Sequence, residues 1–228
     1  MKTDITCIDT RLGTDNHSTY SNGNTLPYTG VPFGMNYFLP QTTHEQGAWF
    51  FNPNLPIFQG IRLTHQPSPW IGDFSWCLLT PLADIPSQED LYFRQSSYRI
   101  KEAIFQPHYL ALTSERYQIH SEVTPSLYGA FLRFKGPSTL ALALHCPNGL
   151  TEVKFGETDL HFHILEQNHT DQQDFPFYLH FEFDQAITQT HWLGQDLILE
   201  FDSPTLEARL GTSFINSELA KSHLPKAS

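Results

Sequence analysis

The sequence predicts an all-β chain, an antiparallel β-sandwich with long N-terminal loops, and three observations carry that prediction. Aromatic residues are abundant, with 18 Phe, 9 Tyr and 4 Trp, and such side chains suit a pleated, half-buried surface. Apolar and polar residues alternate with period two through much of the second half. Turn signals separate the alternating segments, with hardly any helical pattern between them.

Each element follows from a particular segment. The first ninety residues hold most of the Pro, Gly, Asn and Trp, and read as long loops and short strands draped on the sandwich; long ordered loops are usually functional. YQIHSEV sets Tyr117, Ile119, Ser121 and Val123 against Gln118, His120 and Glu122. LHFHIL sets Leu160, Phe162 and Ile164 against His161 and His163, and FYLHFEFD points Phe177, Leu179, Phe181 and Phe183 one way. LYGAFLRF (127–134) is a further strand, while STLALALH (138–145) and DLILEFD (196–202) are almost continuously apolar, as strands buried on both faces are. Lys135-Gly136-Pro137, Pro147-Asn148-Gly149 and Leu193-Gly194-Gln195 are the turns. After LEARLGTSF a short helix is expected to start, with Ser217 as its N-cap. The expected boundaries are a sandwich over 1–215 and the start of a linker helix over 216–228.

Charge and cysteines exclude several classes. The 228 residues carry 13 basic and 24 acidic side chains, a formal net charge of −11, which repels phosphate backbones and anionic membranes. Neither nucleic acid nor a membrane is an expected partner. Cys7, Cys77 and Cys146 are scattered and make neither a disulfide framework nor a zinc site. MKTDITCIDT has no apolar leader. The expected location is cytoplasmic, with secretion as the alternative if a leader has been removed.

RLTHQPSPWIGDFSW (62–76) is the densest chemical stretch. Pro67 and Pro69 remove two donors and fix φ, so a rigid loop is expected there. It carries His65, Gln66, Trp70 and Asp73. An aromatic platform beside imidazole, amide and carboxylate groups is what a pyranose ring requires; the plainer reading is that Trp70 and Trp76 plug the end of a core. GNTLPYTGVPFGM (23–35) is equally two-sided: a strand and tight turn, or glycines that let backbone approach a ligand beside Asn24. His161 and His163 share a strand face, as metal-binding pairs can, with His169 and His180 nearby; alternation already accounts for them as a polar face. No G-x-S-x-G elbow, phosphate-binding glycine motif or tuned carboxylate pair is present.

The two loop motifs together resemble the N-terminal domain of glycoside hydrolase family 92, the α-mannosidases. Gly13-Thr14, Gly23-Asn24, Pro27, Pro32-Phe33-Gly34-Met35 and Pro40 follow the family order, as do Gly60, Thr64-His65, Gly72-Asp73, Leu78-Leu79 and Pro81. ARLGTSFINSELAKSHL resembles the segment that leads from the family's sandwich into its linker helix. The resemblance implies a supersandwich-like domain packed on an (α/α)6 catalytic domain. It also implies inverting, calcium-dependent removal of α-linked mannose, with one carboxylic acid protonating the leaving oxygen and an opposite carboxylate activating water. In the family those carboxylates and the calcium ligands belong to the barrel, so no cofactor is expected in this chain. The implied partners are a C-terminal catalytic domain and a mannose-containing glycan. Trp70, His65, Asp73 and Asn24 are expected to line a wall of the pocket, with Phe33 as support. Departures occur where relatives have H-L-S-G-x-G and this chain has His65-Gln66-Pro67-Ser68-Pro69-Trp70, and where S-P-D-T is Leu39-Pro40-Gln41-Thr42. Two other readings stand beside this one, an autonomous carbohydrate-binding module and a purely structural domain.

Overall fold

Period-two alternation becomes two antiparallel sheets facing one another in a computed structural model that describes residues 5–15, 25–43, 49–66, 72–147, 149–166 and 175–226. In chain order the strands are β1 (Tyr37–Gln41), β2 (Ile57–Phe58), β3 (Gly60–Thr64), β4 (Cys77–Leu82), β5 (Ser96–Ser97), β6 (Ile104–Gln106), β7 (Tyr109–Ser114) and β8 (Ile119–Pro125). They continue as β9 (Gly129–Lys135), β10 (Leu140–His145), β11 (Thr151–Phe155), β12 (Asp159–Glu166), β13 (Phe175–Phe183), β14 (Gln189–Leu193), β15 (Asp196–Phe201) and β16 (Thr205–Ser213). Short helices α1 (Leu91–Arg94) and α2 (Ser217–Ser222) complete the elements used below.

The larger sheet has eight strands in the order β11-β12-β13-β16-β9-β8-β7-β6, the smaller six in the order β1-β3-β4-β10-β15-β14. Leu160, Phe162 and Ile164 of β12 and Phe177, Leu179, Phe181 and Phe183 of β13 all point into one core. β10 and β15 sit in the middle of the six-stranded sheet and are buried on both faces, as their continuous apolar runs require. Proline placement obeys the ladder. Pro40 lies in the edge strand β1, and Pro81 lies beyond Leu79, where the β3–β4 pairing stops.

The first ninety residues correct one expectation. Their strands are not draped on the sandwich: β1, β3 and β4 form half of the six-stranded sheet. GIRLT and CLLTPL are too short for periodicity to mark, yet both are buried throughout.

A helix, α2, follows β16 and ends at Ser222, and its N-cap is Asn216 rather than Ser217. The Asn216 Oδ1 accepts from the Leu219 N–H at 2.8 Å. α2 then lies against the outer face of β13 and β16. Gly211 permits this approach, since a Cβ there would sit 2.2 Å from the Ala220 carbonyl oxygen. His223 closes the turn, its Nδ1 2.7 Å from the Thr212 carbonyl and its ring stacked 3.9 Å from Tyr128.

Candidate functional site

The stretch from β3 to β4 is anchored from beneath by a buried ion pair. Gly60–Thr64 enters from the six-stranded sheet and places Arg62 among buried neighbours. An unpartnered guanidinium there would be costly, so the fold surrounds it. Its Nε and Nη2 reach Asp73 Oδ2 at 3.0 and 2.9 Å, and Nη1 donates to Gln41 Oε1 at 2.8 Å. Its plane lies between two aromatic rings, 3.8 Å from the Phe50 centroid and 3.6 Å from that of Trp76. Burial pushes the guanidinium down to about 10, while Asp73 pulls it the other way.

Asp73 is fully committed. Besides Arg62, its Oδ2 accepts from the Thr64 hydroxyl at 2.7 Å, and its Oδ1 accepts the His65 and Phe74 N–H groups at 3.0 and 2.9 Å. The carboxylate thereby ties both ends of the loop to the sheet. Its side chain is 3% exposed. Tyr28 adds a tie by donating its hydroxyl to the Gln66 carbonyl, and burial pushes its phenol up.

His65 points towards the other sheet. Its ring stacks on Phe74 at 5.1 Å and meets Phe177 and Phe214 edge-on at 4.7 and 5.3 Å. Nδ1 lies 3.0 Å from the Phe74 carbonyl and Nε2 lies 2.9 Å from Asn36 Oδ1. Burial lowers the imidazole pKa and favours the neutral ring. The Asn36 amide nitrogen donates to the Thr212 hydroxyl at 2.7 Å, and that hydroxyl donates to the Tyr128 carbonyl at 2.6 Å, which leaves Asn36 Oδ1 to accept from His65 Nε2.

Phe33 stands apart from this network. The Gly34 N–H donates to the Val31 carbonyl at 2.9 Å, closing a turn with Pro32 and Phe33 at its centre. Phe33 has φ +59° and is 97% exposed. Pro followed by a positive φ is the type II pattern, whose third position favours glycine. A bulky apolar residue there is strained and solvated at once. The segment is tied to the 126–129 turn by the Met35 N–H bond to the Leu127 carbonyl, 2.8 Å long. Leu127, Tyr128 and Ile215 are exposed nearby in the fold, on segments bonded to Met35 and Thr212.

Of the residues singled out in sequence, His65 and Asp73 are thus brought together as a bracing pair, and Phe33 projects from an adjoining turn. Trp70 and Asn24 lie outside the described residues. Sequence reasoning missed Arg62, Asn36 and the stacking role of Trp76. The signal for Arg62 was available: one charge inside the apolar run GIRL demands a buried counter-ion.

Two other places carry polar side chains. A depression of about 420 Å³ lies on the outer face of the eight-stranded sheet. Both of its arginines are engaged, Arg133 with Glu122 and Arg209 with Glu182. It lies toward the Phe183 end of β13, opposite the Phe177 end that meets His65. Among the described residues, Asp159, His161 and His180 form a group able to hold a metal ion. Two imidazoles and one carboxylate do not fit calcium, which takes six to eight oxygen ligands.

Comparisons with known proteins agree with this architecture. The model of the glycosyl hydrolase family 92 N-terminal domain matches residues 7–214. The structure of the family GH92 inverting mannosidase BT2199 from Bacteroides thetaiotaomicron VPI-5482 superposes with a TM-score of 0.85 at 22% identity, covering 97% of this chain and 33% of that one. The GH92 α-mannosidase BT3965 from Bacteroides thetaiotaomicron superposes with a TM-score of 0.78 at 15% identity, covering 97% of this chain and 35% of that one. The same enzyme in complex with mannoimidazole gives a TM-score of 0.77 at 16% identity, covering 96% and 33%. These likenesses establish the shared fold, and the chain spans about a third of the length of these solved relatives. No curated protein matches the chain. With the family match running through both sheets and the 64–76 loop, the chain belongs to the glycosyl hydrolase family 92 N-terminal domain family.

Proposed function

We propose that the chain is the N-terminal sandwich of an inverting, calcium-dependent exo-α-mannosidase acting on mannose-containing glycans. In this reading it walls one side of the substrate pocket, and a C-terminal catalytic domain supplies the acid, the base and the calcium ligands. The observation that carries the reading is the state of Asp73. A carboxylate already accepting from Arg62, Thr64 and two backbone N–H groups has no lone pair to spare for proton transfer, but it braces a loop well. Trp70, His65 and Asn24 then serve as wall residues, with Asp73 holding the wall in place.

Phe33 gives the partner domain something to meet. A strained, solvated aromatic beside exposed Leu127, Tyr128 and Ile215 makes an apolar end suited to docking. The mannosidase names of the solved relatives, and the mannoimidazole bound to one of them, favour mannose over other sugars.

Calorimetric titration of the 228-residue chain with α-linked mannobiose, with and without calcium, tests the division of labour. The proposal expects no saturable heat at millimolar sugar, because half a pocket does not hold a ligand. Saturable binding that is lost in Trp70→Ala would make the loop a self-sufficient sugar site and replace the proposal with a binding module.

A further inference from the structure

We propose that Asp159, His161 and His180 form a transition-metal site, suited to zinc, on the outer face of the eight-stranded sheet. Asp159 and His161 are two apart on β12 and so share a face. His180 is the direct cross-strand partner of His161 on β13, and the two rings stack at 5.9 Å with 20° between their planes. One ligand atom from each of the three residues lies within 4.8 Å of the others. An ion equidistant from three atoms at that widest spacing would sit about 2.8 Å from each. Closing to the zinc–ligand distance of about 2.0–2.1 Å takes small side-chain rotations.

An independent observation points to a ligand. His180 is only 3% exposed, and its Nε2 is buried without a hydrogen-bond partner. A buried ring nitrogen with nothing to bond is costly, and most such groups in folded proteins are satisfied. Here the cause of burial is visible. His180 is paired with Gly211 on its other side, and α2 lies over that glycine. A metal ion would complete the coordination that the fold leaves open.

The donor types select the metal. Two imidazoles and one carboxylate suit zinc and its neighbours, leaving a fourth position for water. Asp159 is held for the purpose at the β11–β12 turn, where its carbonyl accepts the Gly156 N–H at 2.8 Å. A Cβ at position 156 would lie 1.8 Å from Asp159 Oδ1, so the carboxylate packs closely over that glycine. Glu182, opposite Asp159, is taken by Arg209, and from α2 the positive charge of Lys221 acts on His180. His163, which sequence spacing also offered, points instead to Glu152 at 3.9 Å.

The test is zinc titration of the tag-free 228-residue chain, read by calorimetry and by competition with a chromogenic chelator. One equivalent is expected to bind, with affinity falling about tenfold or more in His161→Gln and in His180→Gln. His163→Gln, the control, is expected to bind as the parent does. His161 is partly exposed, so His161→Gln is expected to keep its circular dichroism and melting midpoint. Cobalt substitution should give the visible bands of a four-coordinate ion. Absence of stoichiometric binding would overturn the proposal, and so would binding that neither substitution weakens.

Discussion

Arg62 and Asp73 meet through two guanidinium nitrogens on a single carboxylate oxygen, at 3.0 and 2.9 Å, with side chains 6% and 3% exposed. The pair joins the six-stranded sheet to the loop that carries the candidate wall residues. Removing one partner of a buried pair strands the other charge, at about 3–5 kcal/mol. Asp73→Ala is therefore expected to lower unfolding stability in urea by about that amount. A loss below about 1 kcal/mol would mean that the loop does not hang on this carboxylate.

Phe33 offers the opposite sign. Its positive φ costs a non-glycine residue about 1–2 kcal/mol, of which glycine returns part as chain entropy. Phe33→Gly is expected to stabilise the isolated chain by about 0.5–1 kcal/mol, whereas Phe33→Ala keeps the strain and gains nothing. A destabilising Phe33→Gly would show that the ring packs within this chain.

His65 sets a pH dependence. Burial lowers its pKa below the ordinary 6.5, against a smaller pull upward from the Phe74 carbonyl and Asp73. The unfolded chain then binds the proton more readily, so stability rises with pH in this window. The contribution is complete above pH 6.5 and is lost as the pH falls through the folded value. Urea midpoints measured from pH 7.5 to 5 should decline, and His65→Gln should flatten part of the decline. An unchanged slope in the variant would assign the effect to other groups.

Thiol reactivity follows from burial. Cys7 is exposed, whereas Cys77 and Cys146 are buried, and burial pushes the Cys146 thiol well up. A chromogenic disulfide reagent should titrate one thiol in the native chain and, of the 3 present, all after unfolding in urea. Fast reaction of more than one in the native state would contradict the packing of β4 against the end of β10.

The readable parts of the sequence were those where one physical rule acts alone. In β8, β12 and β13 one face meets the core and the other does not, so period two is visible residue by residue. β1, β3 and β4 were harder: buried on both faces they carry no period, and Pro40, Arg62, Thr80 and Pro81 interrupt the apolar runs that made β10 and β15 readable. His180 looked like a polar-face residue for the same reason, since nothing local announces that α2 will cover it. At the candidate site, Pro67, Pro69 and Trp70, on which the loop reading rests, lie outside the described residues. The role of Asp73 was not legible, because its partner Arg62 sits in the preceding strand, eleven residues earlier.

The proposed function rests on the 64–76 loop walling a mannose pocket that a second domain completes. The most direct measurement is hydrolysis of α-linked mannobiose by the longer protein the proposal requires, comparing the parent with Trp70→Ala. β-Mannose is expected to appear first by NMR, and Trp70→Ala is expected to lower kcat/KM by about tenfold or more. Unchanged turnover in the variant, or release of α-mannose first, would contradict the proposal.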